Sequence, residues 1–537
     1  MTAAAQTRGR RPNWRALGLA LLAGLGLGLA HPPFGFLPGL LGFAVLLGLV
    51  ERADGQRPLR SAFLRGFAAG FGFFLVSLYW IAEAFFVDAA AHGWMAPIVM
   101  TILPGGMALF WGCACLLARA LAPKAGPLAG LRRLAVFAAS FGLLEWLRGH
   151  VLTGFPWNLP GETWAAGSAP AQAAALLGAY GLSVVTVLLA ASPAFLFTRG
   201  EGVSRRDRFA AAALGSALLV GLYAYGALRL ARAETAAQAT VVRVVQGNVD
   251  QKDKWRADNL DGVLNTYLGL TQAPGQARAD IVIWPEGAVP AAANDYLGAD
   301  VGRRRRVAAA LTPGQILLTG AFRLDLGPGG DPRALNSLLA LRRIETIAGP
   351  DVQLIALYDK YRLVPLGEFL PLRPLLEPLG FVRLTQAPED FAHGPRPAPI
   401  EAPGLPRVQP LICYESLFPG LAGADDRRAR WIVNASNDSW FGRTSGPWQH
   451  LNIASHRAIE QGLPIIRATP TGVSAVIDAY GRTHQMLGVG QAGVIDAPIP
   501  AALPGTPYVR WGDTAFWALT ILGLASGQRP RRRMKFM

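Results

Sequence analysis

The 537-residue chain carries 51 Lys and Arg against 35 Asp and Glu, a formal charge of +16, yet only 16% of its residues are charged and 52% are hydrophobic. Soluble proteins average about 25% charged residues, and nearly all the long apolar runs fall in the first ~230 positions, which excludes an ordinary soluble fold there. A nucleic-acid partner is also set aside: much of the excess Arg lies in short clusters between hydrophobic runs and at both ends, where membrane proteins mark their cytoplasmic side.

Apolar runs predict about eight membrane spans, at roughly 13–30, 37–50, 63–86, 94–121, 131–149, 171–198, 208–231 and 513–526. The second and last are short for a hydrocarbon core of ~30 Å. Basic and non-basic loops alternate. Arg8, Arg10, Arg11 and Arg15 precede the first span, His31–Phe34 has no Lys or Arg, and Arg52, Arg57 and Arg60 follow. Asp88 and His92 come next, then Arg119, Lys124, Arg132 and Arg133, then a loop (154–169) with Glu162 alone, then Arg199, Arg205, Arg206 and Arg208. The tail holds Arg529, Arg531, Arg532, Arg533 and Lys535. The alternation places both termini in the cytoplasm and residues 235–510 outside. Arg229 and Arg232 run against it, but long translocated domains are largely exempt. The first run is expected to stay as a crossing rather than be cleaved, because the alternation needs it. Gly24 and Gly28 have Gly-x-x-x-Gly spacing, without a dimer signal in so Gly-rich a segment. Cys113 and Cys115 read as small apolar fillers, and Glu145 with Arg148 as an i,i+3 pair. Three domains follow: helices 1–7 over 1–234, an extracytoplasmic domain over 235–510, and helix 8 with a basic tail over 511–537.

Between the last two spans the pattern shortens into β-branched runs: 240–245, 280–284, 316–320, 337–341, 354–358, 408–413, 431–434, 465–468 and 474–478. Helical stretches at about 255–271, 300–311 and 447–461 alternate with them, so the domain is α/β or layered α+β. Glu286, Lys360 and Cys413 each stand at or just after the end of a strand-like run, where such folds place their chemistry. Cys413 is the domain's single cysteine, so neither a disulfide framework nor a Cys-rich zinc site can be built there. A thiol, a carboxylate and an ammonium are the parts needed to move an acyl group through a thioester.

The order of these three groups resembles the carbon–nitrogen hydrolase (nitrilase) superfamily, whose catalytic set is Glu, Lys and Cys. Val245-Gln246-Gly247-Asn248 with Trp255 after it, Lys360 to Glu368, and Asn434 to Trp440 match as well. Such a domain carried between the last two of eight spans resembles the apolipoprotein N-acyltransferase family of Gram-negative bacteria. The resemblance implies a membrane-helix bundle joined to a four-layer α-β-β-α sandwich. It implies Cys413 as nucleophile, Glu286 as general base and Lys360 as the cation on the oxyanion, supported by Glu368, Glu415 and the backbone N–H of Tyr414. Trp255 and Asn336, and more weakly Asn437, are expected at the substrate. The apolar stretch Phe369–Phe391 and the pair Trp440 and Phe441 look exposed and are expected to dip into the bilayer and gate acyl chains. The implied reaction moves an acyl chain from a membrane phospholipid to the α-amino group of a diacylglyceryl-modified apolipoprotein, by a monomer in the inner membrane with its catalytic domain in the periplasm, without metal or cofactor. A membrane-anchored amidase passing the acyl group to water is the nearest alternative, and a transporter or scaffold with a degenerate enzyme domain is the other.

Overall fold

The computed structural model describes residues 13–53, 57–197, 203–233, 236–256, 258–275, 278–327, 329–379, 390–423 and 428–527. Its first half is helical: α1 (Trp14–Leu29), α2 (Gly42–Glu51), α3 (Pro58–Leu78), α4 (Ala96–Leu121), α5 (Ala129–His150), α6 (Ala174–Ala191) and α7 (Arg205–Ala231). Small residues bring these helices together. A Cβ on Gly24 of α1 would lie 1.8 Å from the Ala69 carbonyl oxygen of α3, and one on Gly66 of α3 would lie 2.4 Å from that of Trp111 in α4. Gly28 likewise meets Val76 of α3. The Gly24–Gly28 spacing therefore serves packing within the chain.

Four helical stretches are long and apolar enough to cross a membrane: Pro58–Phe86, Ala89–Leu121, Pro170–Leu196 and Arg205–Ala231. The predicted eight are thus met only in part among the described residues. Trp14–Leu29, Leu37–Glu51 and Thr514–Ala525 are apolar but shorter. The 22-residue α5 is long enough but carries Arg132, Arg133, Glu145 and Arg148. Glu145 and Arg148 do pair, buried, and Arg148 also donates to the carbonyls of Phe155 and Trp157.

Among the described residues the second half holds twelve strands: β1 (Ala237–Gln246), β2 (Ile281–Trp284), β3 (Ile316–Leu326), β4 (Pro332–Thr346), β5 (Gly349–Asp359), β6 (Ile400–Ala402), β7 (Leu405–Ile412), β8 (Trp431–Ala435), β9 (Ile465–Ala468), β10 (Ser474–Ile477), β11 (Thr483–Leu487) and β12 (Gly493–Pro500). They form two six-stranded sheets, ordered β12-β1-β2-β3-β4-β5 and β11-β10-β9-β8-β7-β6. β1, β2 and β3 run parallel, as do β7, β8 and β9. Ile283 and Leu318 of one sheet share a buried core with Ile412, Val433 and Ile466 of the other. The outer face of the first sheet is covered by α8 (Leu260–Gln272) and α9 (Val301–Ala310) through Val263, Leu264 and Val307.

The outer face of the second sheet is covered by α10 (Gly446–Gln461). This helix is buried at nearly every position, because the membrane half covers its far side. Ile453 and Ile459 belong to one cluster with Ile432 and Ile465 of the sheet and with Trp157 and Tyr180 of the helical half. Polar contacts reinforce the seam: Asn452 Nδ2 donates to the Glu162 carbonyl at 2.8 Å, and the Ala179 N–H to Glu460 Oε1 at 2.8 Å. α11 (Thr514–Ala525) then packs back on α5 and α6.

Candidate active site

β2, β5 and β7 aim their carboxyl ends at one edge of the sandwich, and the candidate groups follow directly. Glu286 lies just past β2, Lys360 just past β5 and Cys413 just past β7. Cys413 opens the turn Cys413–Leu417 with φ +49°, a left-handed conformation that costs a non-glycine residue and persists only when its surroundings enforce it. Glu415 supplies much of that enforcement. Its Oε2 accepts from the Ile412 N–H at 2.7 Å, and its Oε1 from Tyr358 Oη at 2.6 Å and the Tyr361 N–H at 2.8 Å. The carboxylate of Glu415 thus ties the lysine loop to the cysteine turn. Tyr414 points the other way and donates its hydroxyl to the Gly154 carbonyl at 2.5 Å, anchoring the turn to the membrane half.

Lys360 is the centre of a second cluster. Its Nζ lies 3.0 Å from Glu286 Oε1 and 3.1 Å from Glu368 Oε1, and its side chain is 1% exposed. Asn336 donates one amide to the same two oxygens, at 2.7 and 2.6 Å. Asn336, expected at the substrate, lines the same cavity as Lys360 and also holds the two carboxylates around the ammonium. Burial works against the charge on Lys360, but Glu286 and Glu368 outweigh it and hold the ammonium above the usual lysine range. Burial, with Glu286 beside it, pushes the Cys413 thiol up to about 12, while Lys360 pulls the other way. The resting sulfur is therefore a thiol, and a nearby base must take its proton for it to act as a nucleophile.

Glu286, Lys360, Glu368 and Cys413 all line one cavity of about 380 Å³. The helical half contributes Trp80, Phe85, Leu103 and Met107 to its walls; the catalytic half contributes Trp255, Phe322, Phe391 and Trp440. Apart from the Lys360 cluster, Cys413, Thr153, His450 and a few amides, the lining is hydrocarbon and aromatic, which suits an acyl chain. Of the expected gating elements, Phe441 is not an exposed arm. Its ring packs 4.3 Å from that of Trp80 and 5.9 Å from that of Trp157, so it seals the two halves together. In the other arm Leu372 and Leu375 are exposed and Leu370 is buried; positions 380–389 lie outside the described residues.

Sequence reading missed two features. Lys254 is 1% exposed, and its Nζ sits 3.5 Å from where a Cβ on Gly287 would be, beside Glu286. Among the described residues that Nζ has no hydrogen-bond partner, and burial pushes it down to about 8, with Glu286 opposing. The available signal was its rarity: the chain has five lysines, and this one directly precedes Trp255. Behind Cys413, His450 Nε2 lies 2.9 Å from Ser416 Oγ and 3.3 Å from the Cys413 carbonyl, and its Nδ1 lies 3.0 Å from Asp438. A histidine on a helix that mixes polar and apolar residues gave no sign of that role.

Both halves of the chain match known families. The model of the apolipoprotein N-acyltransferase N-terminal domain matches residues 23–192, and that of the carbon-nitrogen hydrolase matches residues 241–506. A solved mutant of the Nesterenkonia AN1 amidase from the nitrilase superfamily aligns with a TM-score of 0.33 and 18% identity, over 50% of this chain and 93% of its own. An apolipoprotein N-acyltransferase of Caulobacter vibrioides is 52% identical over 530 residues, 98% of this chain and 97% of its own. One of Bradyrhizobium diazoefficiens is 39% identical over 97% and 96%. By these matches along nearly its whole length, the chain belongs to the apolipoprotein N-acyltransferase family, membrane acyltransferases built on a carbon–nitrogen hydrolase domain.

Proposed function

We propose that the enzyme transfers an acyl chain from a membrane phospholipid, through a thioester on Cys413, to the α-amino group of an N-terminal diacylglyceryl-cysteine on an apolipoprotein. The observation that carries this reading is the opening of a buried Cys, Lys and Glu cluster into an apolar cavity walled partly by membrane helices. In the first step Glu286 takes the thiol proton as the sulfur attacks the ester carbonyl. The oxyanion is met by the Lys360 ammonium and the backbone N–H of Tyr414. The carbon–oxygen bond breaks, the proton passes from Glu286 to the departing alkoxide, and a lysophospholipid leaves. In the second step the acceptor amine attacks the thioester, Glu286 takes up its proton, the carbon–sulfur bond breaks, and the thiol is restored with an amide as product. Glu368 and Asn336 keep Lys360 and Glu286 in register, Glu415 holds the turn, and Trp255, Trp440 and Phe441 shape the acyl cavity.

The same reading gives eight crossings, a membrane bundle over 1–234, a periplasmic domain over 235–510, and a returning helix with a cytoplasmic tail over 511–537. It places a monomer in the inner membrane with both termini in the cytoplasm. The alternating basic loops support this orientation. The test is mass spectrometry of the whole enzyme in micelles after mixing with phospholipid. The expected result is an acyl adduct on Cys413 that persists until a lipopeptide amine is added. Rapid loss of the adduct in water would make the protein a hydrolase, and absence of an adduct would remove the thioester route.

A further inference from the structure

The apolar cavity fits lipid tails but not the rest of the acceptor. A polypeptide carries an N–H and a C=O at each residue, and each needs a hydrogen-bond partner when removed from water. The peptide that follows the acylated residue must therefore leave the reactive centre along a polar wall.

A second cavity of about 500 Å³ adjoins the first. Gln251 lines both. The turn Asp438–Phe441 separates them, with Trp440 and Phe441 facing the acyl side and Ser439 the other. Its membrane-side wall is the end of the first long span, at Glu83, Phe86 and Val87. Asn248, Ser439, Thr444 and Thr471 supply uncharged donors and acceptors. The lining cations Lys252 and Arg443 are matched in number by Glu83 and Asp250. That balance suits neutral peptide groups better than a lone phosphate, which calls for unmatched cations.

We propose that this second cavity is the acceptor's peptide subsite, holding the first few residues after the lipidated cysteine through their backbone and with little regard to side chains. The inference rests on the acyl-transfer reading above and adds to it the route of the acceptor chain. It predicts that the acceptor is recognised in two parts, its lipid by the apolar cavity and its peptide by the polar one.

The test uses the full-length enzyme in micelles and the substitution Val489→Trp, which puts an indole into the polar cavity from a half-buried position on its wall. Two acceptors are compared: diacylglyceryl-cysteine N-methylamide, which has no peptide, and a diacylglyceryl lipopeptide with four further residues. In the parent enzyme the lipopeptide is expected to have a KM lower by about tenfold, the worth of one or two net hydrogen bonds. In Val489→Trp that preference is expected to fall to about one, because only the lipopeptide's KM rises. Thioester formation precedes any acceptor and reports folding. Should Val489→Trp fail to form a thioester, Lys252→Trp repeats the measurement from an exposed position on the same wall. Equal KM values for the two acceptors in the parent, or an unchanged preference in a folded variant, would overturn the subsite. Selective slowing of thioester formation in a folded variant would also overturn it, assigning the cavity to the donor's headgroup. A parent enzyme that forms no thioester would overturn both this subsite and the transfer reading.

Discussion

Two clusters of buried charge border the turn Cys413–Leu417, and only one of them lines the apolar cavity. Around Lys360, Glu286, Glu368 and Asn336 converge at the wall of the acyl cavity. Around Arg457 of α10, Glu460 lies at 2.8 Å, Glu162 at 3.3 Å and the Leu417 carbonyl at 2.9 Å, all sealed between the second sheet and the membrane half. Residue types, burial and ion-pair distances are alike. The difference is access: Lys360 and its carboxylates meet a space a substrate can enter, whereas Arg457 spends its charge on a joint. A buried ion pair is weak grounds for function until a cavity reaches it.

That contrast gives three outcomes that can break it, the largest first. Lys360→Met should slow acylation of Cys413 by about 10²–10³-fold, the usual cost of losing an oxyanion partner, with the protein still recovered from membranes; single-turnover thioester formation measures it. A loss below about fivefold would move Lys360 into the structural class. Arg457→Met should leave the acylation rate alone and lower stability. It strands Glu162 and Glu460 without a cation, at a cost of about 3–5 kcal/mol in stability, visible as a fall in the thermal midpoint in micelles. The acylation rate per surviving molecule should stay within about threefold. The smallest effect tests the resting thiol. With burial pushing Cys413 up to about 12, the neutral thiol dominates below that pH and the thiolate fraction grows about tenfold per unit. Iodoacetamide should therefore modify the free enzyme faster at each step from pH 7 to pH 10 without levelling. A rate already flat from pH 7 upward would mean that Lys360 holds a thiolate.

The reactive cluster was the more legible of the two in the sequence. Glu286, Lys360 and Cys413 each end an apolar β run, and the turn from hydrocarbon to an ionisable side chain is a local signal. Glu162 and Arg457 had no such frame, since their partnership joins positions 295 apart. The strand pattern failed where burial was one-sided or the run was broken. β11 is exposed along most of its length, β12 is interrupted by Asp496 and two prolines, and β6 has three residues. β4 and β5 extend beyond the apolar stretches read for them because their outer ends carry polar residues such as Arg333, Glu345 and Gln353. The cavity was illegible for a simpler reason. Trp80 and Phe441 belong to different halves of the chain, and no window of sequence contains both. Their contact also corrects the reading of Phe441 as an exposed arm, since an aromatic next to a turn gives no indication of which surface will cover it.

The double burial of α10 has a practical side. In a freestanding sandwich that helix would be an outer shell with one face in water, whereas here both faces are dry. Cutting the polypeptide after α7 to obtain a water-soluble enzyme would bare the flank of this helix that Gln449, Asn452 and Glu460 bond to the membrane half, and would open the buried cluster that Ile453 and Ile459 share with Trp157 and Tyr180. Such a fragment should clump on expression, and purification will depend on carrying the whole polypeptide in detergent.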